Sequence, residues 1–390
     1  MAYKRGTLGD GKRVVMEFIP YGKQHITQED IASVIEVLES DFLTTGPKVK
    51  EFEDALCEFC GAKYCVVVSN GTAALHLASL ALLKPNDKVL TTPNSFLATS
   101  NAILYAGAKP IFVDIAQDGN IDLDLCEEYL QKDSSIKALY GVAFSGNMLS
   151  QEKLEHLKQK YNITILEDTA HAIGAEYNGI KAGSCINSDA SIFSFHPVKH
   201  LTTAEGGAIT TNSKEIYEKL VMLRNHGMVK TPYMKPWEYE MRELGFNYRI
   251  TDLQCALGIS QLKKLSSFVE KRQTIAKRYD KAFEGTKVKP LYSFNGNSSY
   301  HLYVVLVDFL STAITKEELF IQMRKKNIGL QLHYMAINKQ PYYKNLGYGN
   351  EVIPNMDRYY KECFSLPIYP LLSQKEQEYV IANLLELLDG

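Results

Sequence analysis

No stretch of the 390-residue sequence approaches the roughly 18 unbroken apolar residues of a membrane span, so no membrane partner is expected. Neither sign of charge dominates: 43 Lys and Arg face 45 Asp and Glu, for a net charge of -2. The chain thus lacks the broad basic field of a nucleic-acid binder, and no nucleic-acid partner is expected. It also lacks internal repeats and low-complexity tracts. With 45% hydrophobic and 23% charged residues, disorder over most of its length is excluded. The opening MAYKRGTLGDGKRVVMEF is basic but has no apolar core followed by a small-residue cleavage site, so it does not read as a secretory signal. The seven cysteines are odd in number and scattered, which favours reduced thiols and a cytoplasmic location.

One cysteine pair could carry chemistry. Cys57 and Cys60 form a C-x-x-C, which suits a redox pair or half a zinc site. There is no second C-x-x-C and no cluster of His to complete it. Val49, Phe52, Leu56, Phe59 and Cys60 recur at helical spacing ahead of Gly61, a natural helix terminator. The pair reads as part of a helix, and no metal site is expected.

What the chain does have is alternation of short apolar runs with helical patterns. Strand candidates are Tyr64–Val68, Lys88–Thr92, Pro110–Asp114, Ala138–Ala143, Ile163–Glu167, Ala190–Phe195 and Ala208–Thr211. They are rich in Val and Ile and mostly unalternating, as strands covered on both faces are. Helical stretches lie between several of them, most clearly Thr72–Leu83 and Gln151–Tyr161. Such order implies an α/β fold with parallel pairing and right-handed crossovers. Near Gly258–Lys281 the pattern becomes one long amphipathic helix. Beyond it, HLYVVLVDF and GLQLHYM read as strands, TKEELFIQMRKKN and SQKEQEYVIANLLELL as helices. The predicted organisation is a flexible lead-in over 1–18, a large mostly parallel-sheet domain over 19–260, a linker helix over 261–287 and a small α+β domain over 288–390.

Three motifs fall at the C-terminal ends of predicted strands, where open α/β sheets bind ligands. Ser69-Asn70-Gly71-Thr72-Ala73 is a strand-to-helix turn whose free N–H groups suit an anion. It is not a P-loop, since no Gly-Lys-Ser/Thr follows. Glu167-Asp168-Thr169-Ala170-His171 ends a strand in a carboxylate pair. Asp168 there could meet a cation, a metal or a protonated ring nitrogen, or simply cap a helix. In Ser194-Phe195-His196-Pro197-Val198-Lys199-His200 a lone Lys sits among apolar and His residues. Partial desolvation would lower its pKa and make it an amine nucleophile. A phosphate cradle, an aspartate and a lysine in one sheet are the set that pyridoxal phosphate requires. Their order matches fold-type-I enzymes of that cofactor.

The chain resembles the DegT/DnrJ/StrS sugar-nucleotide aminotransferase family from about Phe18 onward. The matching pieces are LTTGPKVKEFE, SNGTAAL, TTPNSFLATSNAILYAGAKPIFVDI, ILEDTAHAIGA, SIFSFHPVKHLTTAEGGAITT, LRNHGM, GFNYRITDLQCALGISQLKKL and LHYMAINKQPYY. FSFHPVK followed by TTAEGG is most similar to the branch that serves pseudaminic acid biosynthesis. The resemblance implies a transaminase that takes an amine from L-glutamate to a nucleotide-linked 4-keto-6-deoxy sugar, in particular a UDP-linked 4-keto-2-acetamido sugar. It implies that Lys199 forms the Schiff base with pyridoxal phosphate and moves the proton between carbons. Asp168 would hold the ring nitrogen protonated, and His171, where many relatives carry Gln, would meet the phenolic oxygen. Thr72, Ala73 and Ser194 would hold the phosphate, Phe96 would stack on the ring, and Asn247 would reach the phosphate of a neighbouring subunit in a homodimer with shared sites. His196, His226, His333 and Tyr334 are candidates for the sugar pocket. Relatives often have His where this chain has Asn338, a departure near the substrate contacts. The alternatives are an aminotransferase for another dTDP-, GDP- or UDP-keto sugar, a sugar dehydratase of the same family, and a non-catalytic cofactor-binding regulator. The dehydratases typically carry His at the position of Lys199, which disfavours that reading.

Overall fold

The computed structural model describes residues 16–389 and the backbone of two short paired strands, Gly6–Thr7 and Arg13–Val14. Most of the expected lead-in over 1–18 lies outside the described residues. Seven strands form the central sheet: β1 Tyr64–Val68, β2 Lys88–Thr91, β3 Lys109–Phe112, β4 Ile136–Val142, β5 Thr164–Asp168, β6 Ala190–Ser194 and β7 Gly207–Thr211. Each overlaps one of the seven apolar runs. Their order across the sheet is β1-β7-β6-β5-β4-β2-β3. The four pairings from β6 to β3 are parallel, and β7 runs antiparallel to both β6 and β1.

Both faces of this sheet are covered, which explains the unbroken apolar runs. Val66, Val67 and Val68 of β1 are all fully buried, on alternate faces and against different neighbours. Helix α1, Pro47–Cys60, packs Phe52 and Leu56 on one face and ends at Gly61 with φ 80°. It contains both members of the C-x-x-C, and both thiols are free. Helix α2, Gly71–Leu82, packs Ala74, Leu75 and Ala78 on the other face. Fully burying a Val or Leu side chain stabilises the fold by about 1.5–3 kcal/mol, so each of these buried residues contributes to its stability.

Two expectations need correction. The long helix near Gly258–Lys281 is two helices, α3 Asp252–Leu262 and α4 Leu265–Phe283, broken at Lys263 and Lys264. The first starts at a capping box between Thr251 and Gln254, a local signal that the hydrophobic period does not carry. GLQLHYM is not a strand. Only Gln331 forms an isolated bridge, to Ser365, because the segment turns away to line a cavity.

The C-terminal sheet comprises β8 Lys289–Pro290, β9 Tyr303–Leu306 and β10 Cys363–Leu366, all antiparallel. A second core joins it to α4 and to the last helix, α5 Gln374–Asp389. Ile19 packs in this core and bonds to Asn327 and Gly329, so the start of the large domain's expected span lies on the C-terminal lobe.

Candidate active site

The C-terminal ends of β1, β4, β5 and β6 and the loop after β2 open onto one cavity of about 860 Å³. Its far wall is the irregular segment Gln331–Tyr334. Ten of the twelve residues singled out in the sequence line it: Thr72, Ala73, Phe96, Asp168, His171, Ser194, His196, Lys199, His333 and Tyr334. The two that do not are His226 and Asn247.

The lysine is placed by the loop after β6. The N–H of Lys199 donates to the carbonyl of His196 at 2.8 Å, closing a turn that carries the amine back over the strand ends. Burial lowers the pKa of this amine to about 8, and nearby Asp168 opposes the shift. Asp168 ends β5 and is 5% exposed. The Thr99 hydroxyl donates to its Oδ2 at 2.6 Å and the Ala170 N–H to its Oδ1 at 3.1 Å. Burial still pushes its pKa up, so the carboxylate is short of positive charge. The neighbouring Glu167 does not share this role. Strand alternation turns it to the opposite face, where it accepts from Gln151 and Ser188.

The anion cradle lies where β1 meets α2. Asn70 caps the helix, and its side chain accepts the Ala73 N–H at 2.8 Å. Ala73 lines the cavity, and in this structure its N–H is engaged by Asn70. The orphan donors at the helix start are the N–H groups of Gly71 and Thr72. The hydroxyls of Thr72 and Ser194 line the same space. Gly71 allows the close pass: a Cβ there would lie 2.9 Å from Cβ of Ser194.

Phe96 is 59% exposed and lines the cavity, so it is not a core aromatic. His171 is buried; its Nε2 lies 3.3 Å from the Tyr334 hydroxyl and its Nδ1 has no partner. His333 is also buried, with Nδ1 2.8 Å from the Ser365 hydroxyl, and burial lowers its pKa to about 3. His196 is exposed at the rim.

His226 and Asn247 are exposed and lie side by side on another segment, where the His226 N–H donates to the Phe246 carbonyl at 2.9 Å. His226 is thus not part of the pocket formed by its own chain, because its backbone is tied to that segment. Asn338 lies outside the cavity lining, buried and donating to Glu351 at 2.8 Å. Sequence reasoning missed His301, whose Nε2 lies 3.5 Å from the Lys199 amine. It also missed Thr99. His301 opens an apolar run that reads as a strand, and nothing local marks it.

A lysine amine, a carboxylate short of positive charge, an exposed aromatic face and a helix start with two hydroxyls fit a flat cationic ring bearing a phosphate. These residues could hold pyridoxal phosphate.

The DegT/DnrJ/EryC1/StrS aminotransferase family matches residues 24–385. A Campylobacter jejuni protein named UDP-4-amino-4,6-dideoxy-N-acetyl-beta-L-altrosamine transaminase is 44% identical over 374 residues, which are 95% of this chain and 98% of that protein. The solved structure of Helicobacter pylori PseC, an aminotransferase involved in the biosynthesis of pseudoaminic acid, superposes with a TM-score of 0.89 at 34% identity, covering 95% of this chain and 99% of that one. A Streptococcus pneumoniae protein solved in its PLP-form gives a TM-score of 0.86 at 29% identity, covering 95% and 98%. The fold is the fold-type-I aminotransferase fold, and this chain belongs to the DegT/DnrJ/EryC1/StrS aminotransferase family.

Proposed function

We propose that this chain is a pyridoxal-phosphate-dependent transaminase that moves the amino group of L-glutamate to the C4 carbon of a UDP-linked 4-keto-6-deoxy-2-acetamido sugar, releasing 2-oxoglutarate. The observation that carries the reading is the convergence of Lys199, Asp168 and the Thr72–Ser194 cradle on one cavity. The identity to the Campylobacter jejuni transaminase supports the choice of sugar.

The roles follow from position. The hydroxyls of Thr72 and Ser194 and the first N–H groups of α2 bind the phosphate. Asp168 would accept the ring N–H, with its carboxylate oriented by the Thr99 hydroxyl. Phe96 would cover the ring face, and His171, whose Nε2 meets the Tyr334 hydroxyl, would contact the ring oxygen. Bound pyridoxal phosphate supplies an electron sink for the substrate carbon that loses a proton. Lys199, with a pKa of about 8, takes that proton from one carbon and returns it to another.

We assign Asn247, exposed on its own chain, to the phosphate site of a second copy. The protein is then a homodimer with shared sites. The seven free thiols suit a reducing, cytoplasmic setting. We divide the chain into a large domain over 19–260, a linker helix over 261–287 and a small domain over 288–390. An aminotransferase with another keto sugar is the remaining reading. A panel of UDP-, dTDP- and GDP-linked 4-keto sugars with glutamate separates the two. Release of 2-oxoglutarate with the UDP-linked acetamido sugar supports the proposal, and release only with the others rejects its substrate.

A further inference from the structure

Behind Lys199 the fold builds an array of groups that the proposed roles leave unused. His301 is 4% exposed, with its Nε2 3.5 Å from the Lys199 amine. Its ring lies 4.3 Å from that of His171 and 5.5 Å from that of His200, centroid to centroid. Its Nδ1 is buried without a partner. An orphaned buried N–H is rarer than an orphaned acceptor, so the ring proton belongs on Nε2. That N–H then meets the amine lone pair. A protonated lysine has no lone pair and would set N–H against N–H.

Arg272, on α4, fixes this arrangement. It is 1% exposed, and Nη1 donates to the carbonyls of Tyr300, His301 and Ile368 at 3.2, 3.1 and 2.9 Å. No carboxylate pairs with it among the described residues. A guanidinium so placed clamps the backbone of His301 and sets a positive charge behind the imidazoles.

We infer that His301 is a positioning residue whose Nε2–H holds the free Lys199 amine unprotonated and aimed into the cavity, with Arg272 locking His301 in that register. The inference rests on the aminotransferase reading, in which the lysine must alternate between free and bound. Around the amine, Asp168 at the end of β5 is the one group that favours its protonation. His171 from the turn after β5, His200 from the loop after β6 that carries Lys199 and His333 from the far wall are buried and held neutral. Arg272 adds to the penalty on a charged His301.

The test is the pH dependence of Lys199 labelling by an amine-reactive acylating reagent, read by peptide mass spectrometry on the full chain in its aminated-cofactor form. In His301→Leu the midpoint should rise by about one pH unit, the worth of one buried hydrogen bond. In His301→Gln, whose amide can still donate, it should stay near the parent value. An unchanged midpoint in His301→Leu, or an equal rise in both variants, overturns the inference. If His301→Leu does not fold, His301→Ala takes its place under the same criteria. Should the chain never take up the cofactor, the aminotransferase reading fails, while labelling of the bare chain still decides the role of His301.

Discussion

The hydroxyl of Thr99 and the carboxylate of Asp168 are joined at 2.6 Å, across 69 residues of sequence. The bond runs from the helix after β2 to the end of β5, so it ties together two of the strand ends that frame the cavity. It also orients a carboxylate that burial would otherwise leave free to neutralise. Thr99→Val keeps the shape and removes the donor. Cofactor affinity should fall about tenfold, the worth of one hydrogen bond to a charged group. Equilibrium dialysis measures it, and an affinity equal to the parent's would show that Asp168 needs no such support. Asp168→Asn should cost far more in turnover, about 100-fold or beyond.

Gly71 sets the floor of the proposed phosphate cradle. Gly71→Val should weaken cofactor binding and lower stability by about 1–3 kcal/mol, since the added atoms press on Ser194. Urea melts with and without cofactor separate the two effects. A variant with parent stability and parent affinity would mean that the cradle has slack.

Acid should destabilise the protein. His171, His200, His301 and His333 are buried and neutral in the fold, each with its pKa below the ordinary value through burial. Below about pH 6.5 the unfolded chain binds more protons than the fold. Stability is therefore full above that value and is lost as the pH falls toward the folded-state values, about 3 for His333. Each His contributes a slope of about 1.4 kcal/mol per pH unit. Urea midpoints at a series of pH values read it, and a flat profile from neutrality to pH 5 would contradict neutral burial.

Shared sites have a specific signature. Lys199→Ala and Asn247→Ala should each be nearly inactive alone. Mixed and allowed to exchange subunits, they should recover about a quarter of parent activity, because half the dimers are then mixed and each holds one intact site. No recovery after verified exchange would place Asn247 in its own chain's chemistry or in none.

Much of this was legible in the sequence because the relevant signals are local. The Val- and Ile-rich runs mark the buried strands, and Lys199, Asp168 and the turn at Gly71 follow directly at their ends. The parts that were not legible depend on contacts far apart in the chain. His301 lies 102 residues from Lys199 and opens an apolar run. Gln331–Tyr334 has strand-like composition, yet it lines the cavity rather than a sheet. The use of the Ala73 N–H by Asn70 is a capping detail that a motif for anion binding does not reveal.

The central claim is that Lys199 and its cavity carry amine from glutamate to a nucleotide-linked keto sugar in two half-reactions on one cofactor. Its most direct measurement is the visible absorbance of the cofactor-loaded protein under sequential addition. Glutamate alone should bleach the band with release of one 2-oxoglutarate per site. The UDP-linked 4-keto sugar should then restore it, and Lys199→Ala should show neither change. Bleaching by glutamate that no keto sugar nucleotide reverses, or an unaltered response in Lys199→Ala, would contradict the account.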